Sequence, residues 1–308
     1  MTEGVTAELA ELIALQRYAQ MMHASTEGRV AVQAGRHLSK LRGRGMDFSE
    51  VRNYQAGDEI RHMEWRVTAR TGRPHVKLYA EERERPDVVL VDFSPSMFFG
   101  TRLAFKSVIA ARLAALIAWT VVKQGDRLGG LLFSHEEHSE FNPRGRESGV
   151  LPFLAALSHY TSTTPWKVSK PALESGTLSY ALQRARRVAK PGSLVVLMSD
   201  FYNLDKNSEQ HLSRLRTHND VLVYHLCDPL EIAPPQPAQY AITDGQQELL
   251  LDTTIDSVQQ AYRQYCEERL ATLDAQFKRL CIQSVQVTSE NDLSLIVRQT
   301  FPRKANHA

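Results

Sequence analysis

Asp92, Ser94 and Ser96 stand two residues apart at the end of an apolar run, Val88-Val89-Leu90-Val91, and all three carry oxygen. Hard cations such as Mg²⁺ or Mn²⁺ take oxygen ligands of this kind, and a D-x-S-x-S stretch in a loop can curl them round one point. A second apolar run, Leu194 to Met198, ends in Ser199-Asp200 and delivers a second carboxylate by the same device. Gly176-Thr177 stands at the start of an expected helix, where the hydroxyl either caps the helix or ligates a metal. Asp92, Ser94, Ser96, Thr177 and Asp200 thus form a five-member oxygen set. One carboxylate with neutral hydroxyls, plus a second acting directly or through water, leaves a divalent ion only partly neutralised. Such an ion seeks one more anionic ligand, and an acidic side chain of a partner protein would supply it. Taken alone, D-x-S-x-S also describes a strand-end aspartate followed by a Ser-Pro turn.

The elements that must position these residues follow from periodicity. Val88 to Val91, three of them β-branched, suit a strand covered on both faces, as in parallel sheets. In open α/β sheets ligands gather beyond the carboxyl ends of the strands, where the chemistry falls here. The chain then alternates: helix over Leu103 to Val122, strand over Arg127 to Phe133, helices over Val150 to Tyr160 and Thr177 to Val188, strand over Ser193 to Met198, helix over Ser208 to His218, strand over Val221 to Cys227. Asp244-Gly245 between β-prone runs from Tyr240 to Leu251 predicts a hairpin. A long helix over Ile255 to Leu280, a strand over Ile282 to Thr288 and a helix over Leu293 to Thr300 close the pattern. This alternation predicts a three-layer α/β fold, doubly wound about a mostly parallel sheet. The expected division is 1–85 as an N-terminal helix and elaboration packed on the body, 86–302 as the body and 303–308 as a tail.

Composition sets limits. Hydrophobic residues make up 43% and charged residues 23%, which excludes a disordered or fibrous class. The net charge of +2 points to no partner, yet residues 29–77 hold 11 Lys or Arg against 5 Asp or Glu, so this segment carries +6. Nucleic-acid binding is one use for it, but no aromatic is interleaved with Arg36, Lys40, Arg42 and Arg44 to stack bases, and a solvated basic loop is the simpler expectation. Cys227, Cys266 and Cys281 are odd in number and widely spaced, as in a reduced, cytoplasmic protein. Glu3, Glu8 and Glu11 fall where a signal peptide needs a basic start, and the largely apolar run from Leu113 to Val122, ten residues long, is too short to span a bilayer.

The first 85 residues carry a second pattern. Val5 to Met22 has helical spacing of its apolar positions. Val51 and Tyr54 precede a Gly57-Asp58 turn, Ile60, Met63 and Trp65 mark a short helical turn, and His75 to Tyr79 alternates as an edge strand does. Arg52, Tyr54, Gly57, Asp58, Arg61, Trp65 and Arg70 are candidates for an interaction surface. Arg-carboxylate pairs more often fix the geometry of such a segment than bind a partner.

D-x-S-x-S, a later Thr and a later Asp, in that order, resemble the metal-ion-dependent adhesion site of von Willebrand factor A-like domains. More narrowly, Phe48 to Trp65, Ala69-Arg70 and Tyr79 to Arg83 resemble the bacterial family labelled domain of unknown function 58, often encoded beside MoxR-type AAA+ ATPases. That resemblance implies a metal-dependent protein-interaction module working with such an ATPase in maturation or assembly of other proteins. It implies Asp92, Ser94 and Ser96 as primary ligands, Thr177 as a ligand in one conformational state and Asp200 as a direct or water-mediated one. Ser175-Gly176-Thr177-Leu178 departs from the Gly-Gly-Thr-polar form of the familiar loop. Enzymatic readings fit less well. A haloacid-dehalogenase-like phosphohydrolase needs an Asp where Ser94 stands, no G-x-x-x-x-G-K loop is present, and His135-Glu-Glu-His138 lacks the i, i+4 spacing of a zinc helix.

Overall fold

The computed structural model describes residues 4–24, 46–55, 57–81, 86–162, 176–243 and 248–301. These fall into two compact units, one of residues 31–84 and one of residues 1–30 with 85–308. The N-terminal helices α1 (Leu9–Ala14) and α2 (Gln16–Ala24) therefore belong to the body, and the expected 1–85 grouping divides. The reason is burial. Leu12 is fully enclosed, Trp119 Nε1 donates to the Leu12 carbonyl at 3.1 Å, and Arg112 pairs with Glu11. The single helix expected from Val5 to Met22 is broken at Leu15.

In the smaller unit, β1 (Met46–Asn53) pairs antiparallel with β2 (His75–Glu81), and a 3-10 turn (Ile60–His62) and α3 (Trp65–Thr71) lie between them in the chain. The strand β1 is not among the sequence expectations. The basic segment 28–45 lies outside the described residues, as do residues 82–85, Ser175, the Asp244-Gly245 turn and the 303–308 tail.

The body contains β3 (Pro86–Asp92), α4 (Lys106–Lys123), β4 (Arg127–Phe133), β5 (His138–Arg144), α5 (Glu147–Ser162), α6 (Thr177–Val188), β6 (Leu194–Ser199), α7 (Lys206–His218) and β7 (Asp220–Leu226). These are followed by α8 (Pro229–Ile232), β8 (Gln239–Thr243), β9 (Glu248–Asp252), α9 (Asp256–Arg279), β10 (Gln283–Val287) and α10 (Leu293–Thr300). The main sheet runs β10-β7-β6-β3-β4-β5, parallel except for the last pair. Period-2 alternation gives each face of β3 its own core. Val89 and Val91 pack with α4, α5 and the N-terminal helices, while Val88 and Leu90 pack with α6, α7 and α9. This is the expected three-layer, doubly wound arrangement. The antiparallel edge strand β5 escaped sequence reading because it is polar, carries Pro143 and alternates half-buried with exposed positions, as edge strands do. The β8–β9 hairpin pairs as expected.

The chain leaves β3 for β4 on one side and later returns to place β6 on the other. The carboxyl ends of β3 and β6 are therefore the switch point of the sheet, the place where open α/β sheets bind their ligands. No helix among the described residues is long and apolar enough to cross a membrane.

Leu12→Ala is expected to lower the unfolding free energy by about 2–5 kcal/mol, since it empties a filled site. Val5→Ala, at a half-exposed position, should change it by less than about 0.5 kcal/mol. Urea unfolding of both variants checks whether the N-terminal helices are part of the body.

Candidate metal centre at the switch point

Because Val91 of β3 is level with Met198 of β6, the next residues, Asp92 and Ser199, meet across the strand ends. Asp92 Oδ2 accepts from Ser199 Oγ at 2.6 Å. Its Oδ1 accepts from the Ser94 backbone N–H at 2.8 Å and from Ser94 Oγ at 2.5 Å, so the loop turns back on the carboxylate. Asp92 and Ser94 are each 2% exposed. Pro95 then opens a 3-10 turn (Pro95–Met97) that contains Ser96, whose hydroxyl oxygen is buried and makes no hydrogen bond among the described residues.

Among the described residues every donor to Asp92 is neutral, and no Lys, Arg or His forms an ion pair with it. Burial, then repulsion from the Asp200 carboxylate, pushes its pKa up to about 6, against the opposing pull of the Ser199 and Ser94 hydrogen bonds. The two sequence-predicted acids are thus within electrostatic reach of each other.

Asp200 has a different environment. Its Oδ2 accepts from Lys106 Nζ at 2.8 Å, its Oδ1 from the Tyr202 N–H at 3.2 Å, and its backbone carbonyl from Arg269 at 2.7 Å. Lys106 also donates to Glu231 Oε1 at 2.6 Å. Burial opposes the charge on Lys106, but Asp200 and Glu231 outweigh it and leave the pKa raised. Glu231 Oε2 accepts from the Asp228 N–H at 2.8 Å, closing a capping box on α8, and Asp228 holds Thr101 through both its N–H and its hydroxyl. The loops after β3, β6 and β7 are tied together by these charges. Beside them His225 is buried and neutral, its pKa lowered to about 4 by burial and by Arg269, with Nε2 3.3 Å from the Cys227 sulfur. The three cysteines are free.

Thr177 is half-buried as the first residue of α6, and Gly176, at φ +124°, is the N-cap. The expected capping role therefore falls to glycine, which alone adopts that backbone without strain. Ser199, Lys106, Asp228, Glu231 and Arg269 are site residues that the sequence reading missed. For Lys106 a signal existed: a cation in the first turn of an apolar helix sits at the wrong end of the macrodipole and needs acidic partners.

No cluster of three or more His, Cys, Asp or Glu placed to hold a metal occurs among the described residues. A hard cation needs no such cluster, and the donor set fits one. Among the described residues, β3 ends in a buried carboxylate with no ion-pair partner and the loop after it carries, four residues on, a buried hydroxyl oxygen with no hydrogen bond, and both offer oxygen.

In the smaller unit, Arg52 pairs with Asp58 at 2.7 Å, Asp58 also caps the Gln55 N–H at 2.9 Å, and Gly57 takes φ +107° in that turn. The Tyr54 N–H donates to the Pro74 carbonyl at 2.8 Å. Arg61 pairs with Glu59 on the surface, Arg70 is exposed, and Trp65 is 65% exposed.

Residues 50–273 match the model of the family described as Protein of unknown function DUF58. Uncharacterized proteins of Mycobacterium tuberculosis (Rv1480) and Mycobacterium bovis (Mb1516) are each 30% identical over 222 residues, covering 72% of this chain and 68% of theirs. Among solved structures, the SpRpn10 VWA domain aligns with 73% of this chain and 100% of its own at TM-score 0.42 and 14% identity. BatB from Bacteroides thetaiotaomicron aligns with 70% and 96% at 0.40 and 14%.

Without a cation, ionised Asp92 opposes folding. Its folded pKa is raised above that of the unfolded chain, so its cost is absent below about pH 4, grows through the interval to about 6 and is complete above it. Asp92→Asn in chelator should therefore be more stable than wild type at pH 7.5 by up to about 3 kcal/mol, the difference vanishing near pH 4. Urea unfolding across that range checks it.

Proposed function

The chain belongs to the DUF58 family, and from that premise we propose that it is a non-enzymatic protein-interaction module that grips an acidic side chain of its partner through a divalent cation. One observation carries this reading. Among the described residues, Asp92 is a buried carboxylate with neutral hydrogen-bond donors only, at a sheet's switch point, and Ser96, in the loop that follows, has a buried oxygen with no hydrogen-bond partner. A protein ordinarily pairs or neutralises such a group.

In this reading Asp92, Ser94 and Ser96 hold Mg²⁺ or Mn²⁺, with Thr177 and Asp200 as the outer members of the set. The bound cation supplies an electrophilic position open to one anionic ligand. The chain's own groups do the rest. Ser199 and the Ser94 N–H fix the carboxylate, and the tethered loops keep the edge rigid before any partner arrives. A partner that contributes a carboxylate completes the charge. The family resemblance supports a MoxR-type AAA+ ATPase as that partner, in the cytoplasm, with other proteins as clients of the pair in maturation or assembly.

Calorimetric titration with Mg²⁺ and Mn²⁺ tests the site. Saturable binding by wild type, abolished in Asp92→Ala and weakened about tenfold or more in Ser96→Ala, is the expected result. The partner ATPase, titrated next, should bind in Mg²⁺ and lose affinity in chelator. Absence of cation binding at millimolar concentration would sink the reading.

A further inference from the structure

Lys106 is 3% exposed, and it begins the central helix of the body at the end where a helix disfavours positive charge. It is nevertheless fixed from several sides. Asp200 Oδ2 and Glu231 Oε1 accept from it at 2.8 and 2.6 Å, and its Nζ lies 5.9 and 5.3 Å from the ring centroids of Phe99 and Tyr202. Glu231 cannot swing away without opening the capping box of α8, and Asp200 cannot without losing the Tyr202 N–H.

The geometry points to Lys106 as the residue that sets how tightly the Asp92 loop holds a divalent cation, by locking the second carboxylate of the edge in a fixed ion pair. The inference rests on the divalent-cation reading above and goes beyond it. With Asp200 committed to an ammonium and left to an outer place in the set, an incoming ion finds one direct carboxylate, Asp92, instead of two. The ammonium also adds a positive charge beside that second carboxylate, in a buried setting where charge interactions are weakly screened. Both effects weaken cation binding by the free protein, and both are offset when a partner brings a carboxylate. Lys106 thereby makes cation binding contingent on the acidic partner. It acts through Asp200 and is a positioning residue, not a ligand.

The test measures Mn²⁺ affinity by the paramagnetic resonance of free Mn²⁺, and thermal unfolding with and without Mn²⁺, on the full chain at pH 7.5. Lys106→Met removes the charge at similar volume and should bind Mn²⁺ at least about tenfold more tightly than wild type, with a larger Mn²⁺-induced rise in Tm. Adding Asp92→Asn should abolish both gains. Because Lys106→Met leaves two buried acids without a counter-ion, the double variant Lys106→Met with Glu231→Gln provides a second folded form, expected to change in the same direction. A folded Lys106 variant that binds Mn²⁺ no more tightly than wild type overturns the inference. If wild-type binding is nonetheless abolished by Asp92→Asn, the divalent-cation reading stands without it. If neither wild type nor any variant binds Mn²⁺, both fall together.

Discussion

Two carboxylates delivered to the ends of adjacent strands repel each other, and neither can withdraw. Asp92 and Asp200 close β3 and follow β6, strands paired in register through buried apolar residues, so their separation is set by the sheet. Shifting either strand by one residue would turn its whole apolar set to the wrong face. The fold therefore answers the repulsion locally and unequally. Asp200 receives a fixed ammonium from Lys106, whereas Asp92 receives three neutral donors and keeps a proton up to about pH 6. The asymmetry divides the edge: one acid is fixed in an ion pair, and the other has only neutral hydrogen-bond donors among the described residues.

Holding Lys106 in place engages distant parts of the chain. Its second acid, Glu231, belongs to a one-turn helix that would be marginal alone, and that helix is stabilised by a capping box and by Tyr262 of α9, whose hydroxyl donates to the Leu230 carbonyl at 2.8 Å. Arg269, two turns further along α9, donates to the Asp200 carbonyl and stacks on Tyr202 with its guanidinium carbon 3.7 Å from the ring centroid. The long helix thus braces two of the three loops at the edge. The third, after β3, is fastened by Asp228 to Thr101.

How much of this was legible in the sequence follows from which interactions are local. The runs Val88–Val91 and Leu194–Met198 announce buried parallel strands, and a carboxylate at the end of each is visible by inspection, so Asp92 and Asp200 were found. Asp228 and Glu231, three apart after an apolar strand, also carry a readable capping-box spacing. Arg269 offers no such signal, because it lies on a largely solvent-facing helix and its acceptor is a backbone carbonyl 69 residues away. Strands β1 and β5 are polar and irregular in pattern, each with a register shift, and pairing decides their structure, not propensity. The membership of α1 and α2 in the body depends on packing against Trp119 and Arg112, which spacing within the first 24 residues cannot reveal.

The smaller unit separates a motif that the sequence presents as one. Arg52, Gly57 and Asp58 are consumed in building a turn, and Tyr54 in joining it to Pro74. Of the six Lys and Arg between 46 and 77, Arg52, Arg61 and Lys77 are paired with Asp58, Glu59 and Glu64 in the same unit. A phosphate backbone is bound by several cations that each displace a counter-ion, and a cation already neutralised by a neighbouring acid contributes little of that gain. Among the described residues, this unit leaves on its surface Trp65 and Ile60, each 65% exposed, together with the exposed guanidinium groups of Arg66, Arg70 and Arg73. Aromatic side chains and arginine are both enriched in protein–protein contacts, whereas a phosphate backbone would engage only the guanidinium groups and leave the exposed indole and isoleucine without a role.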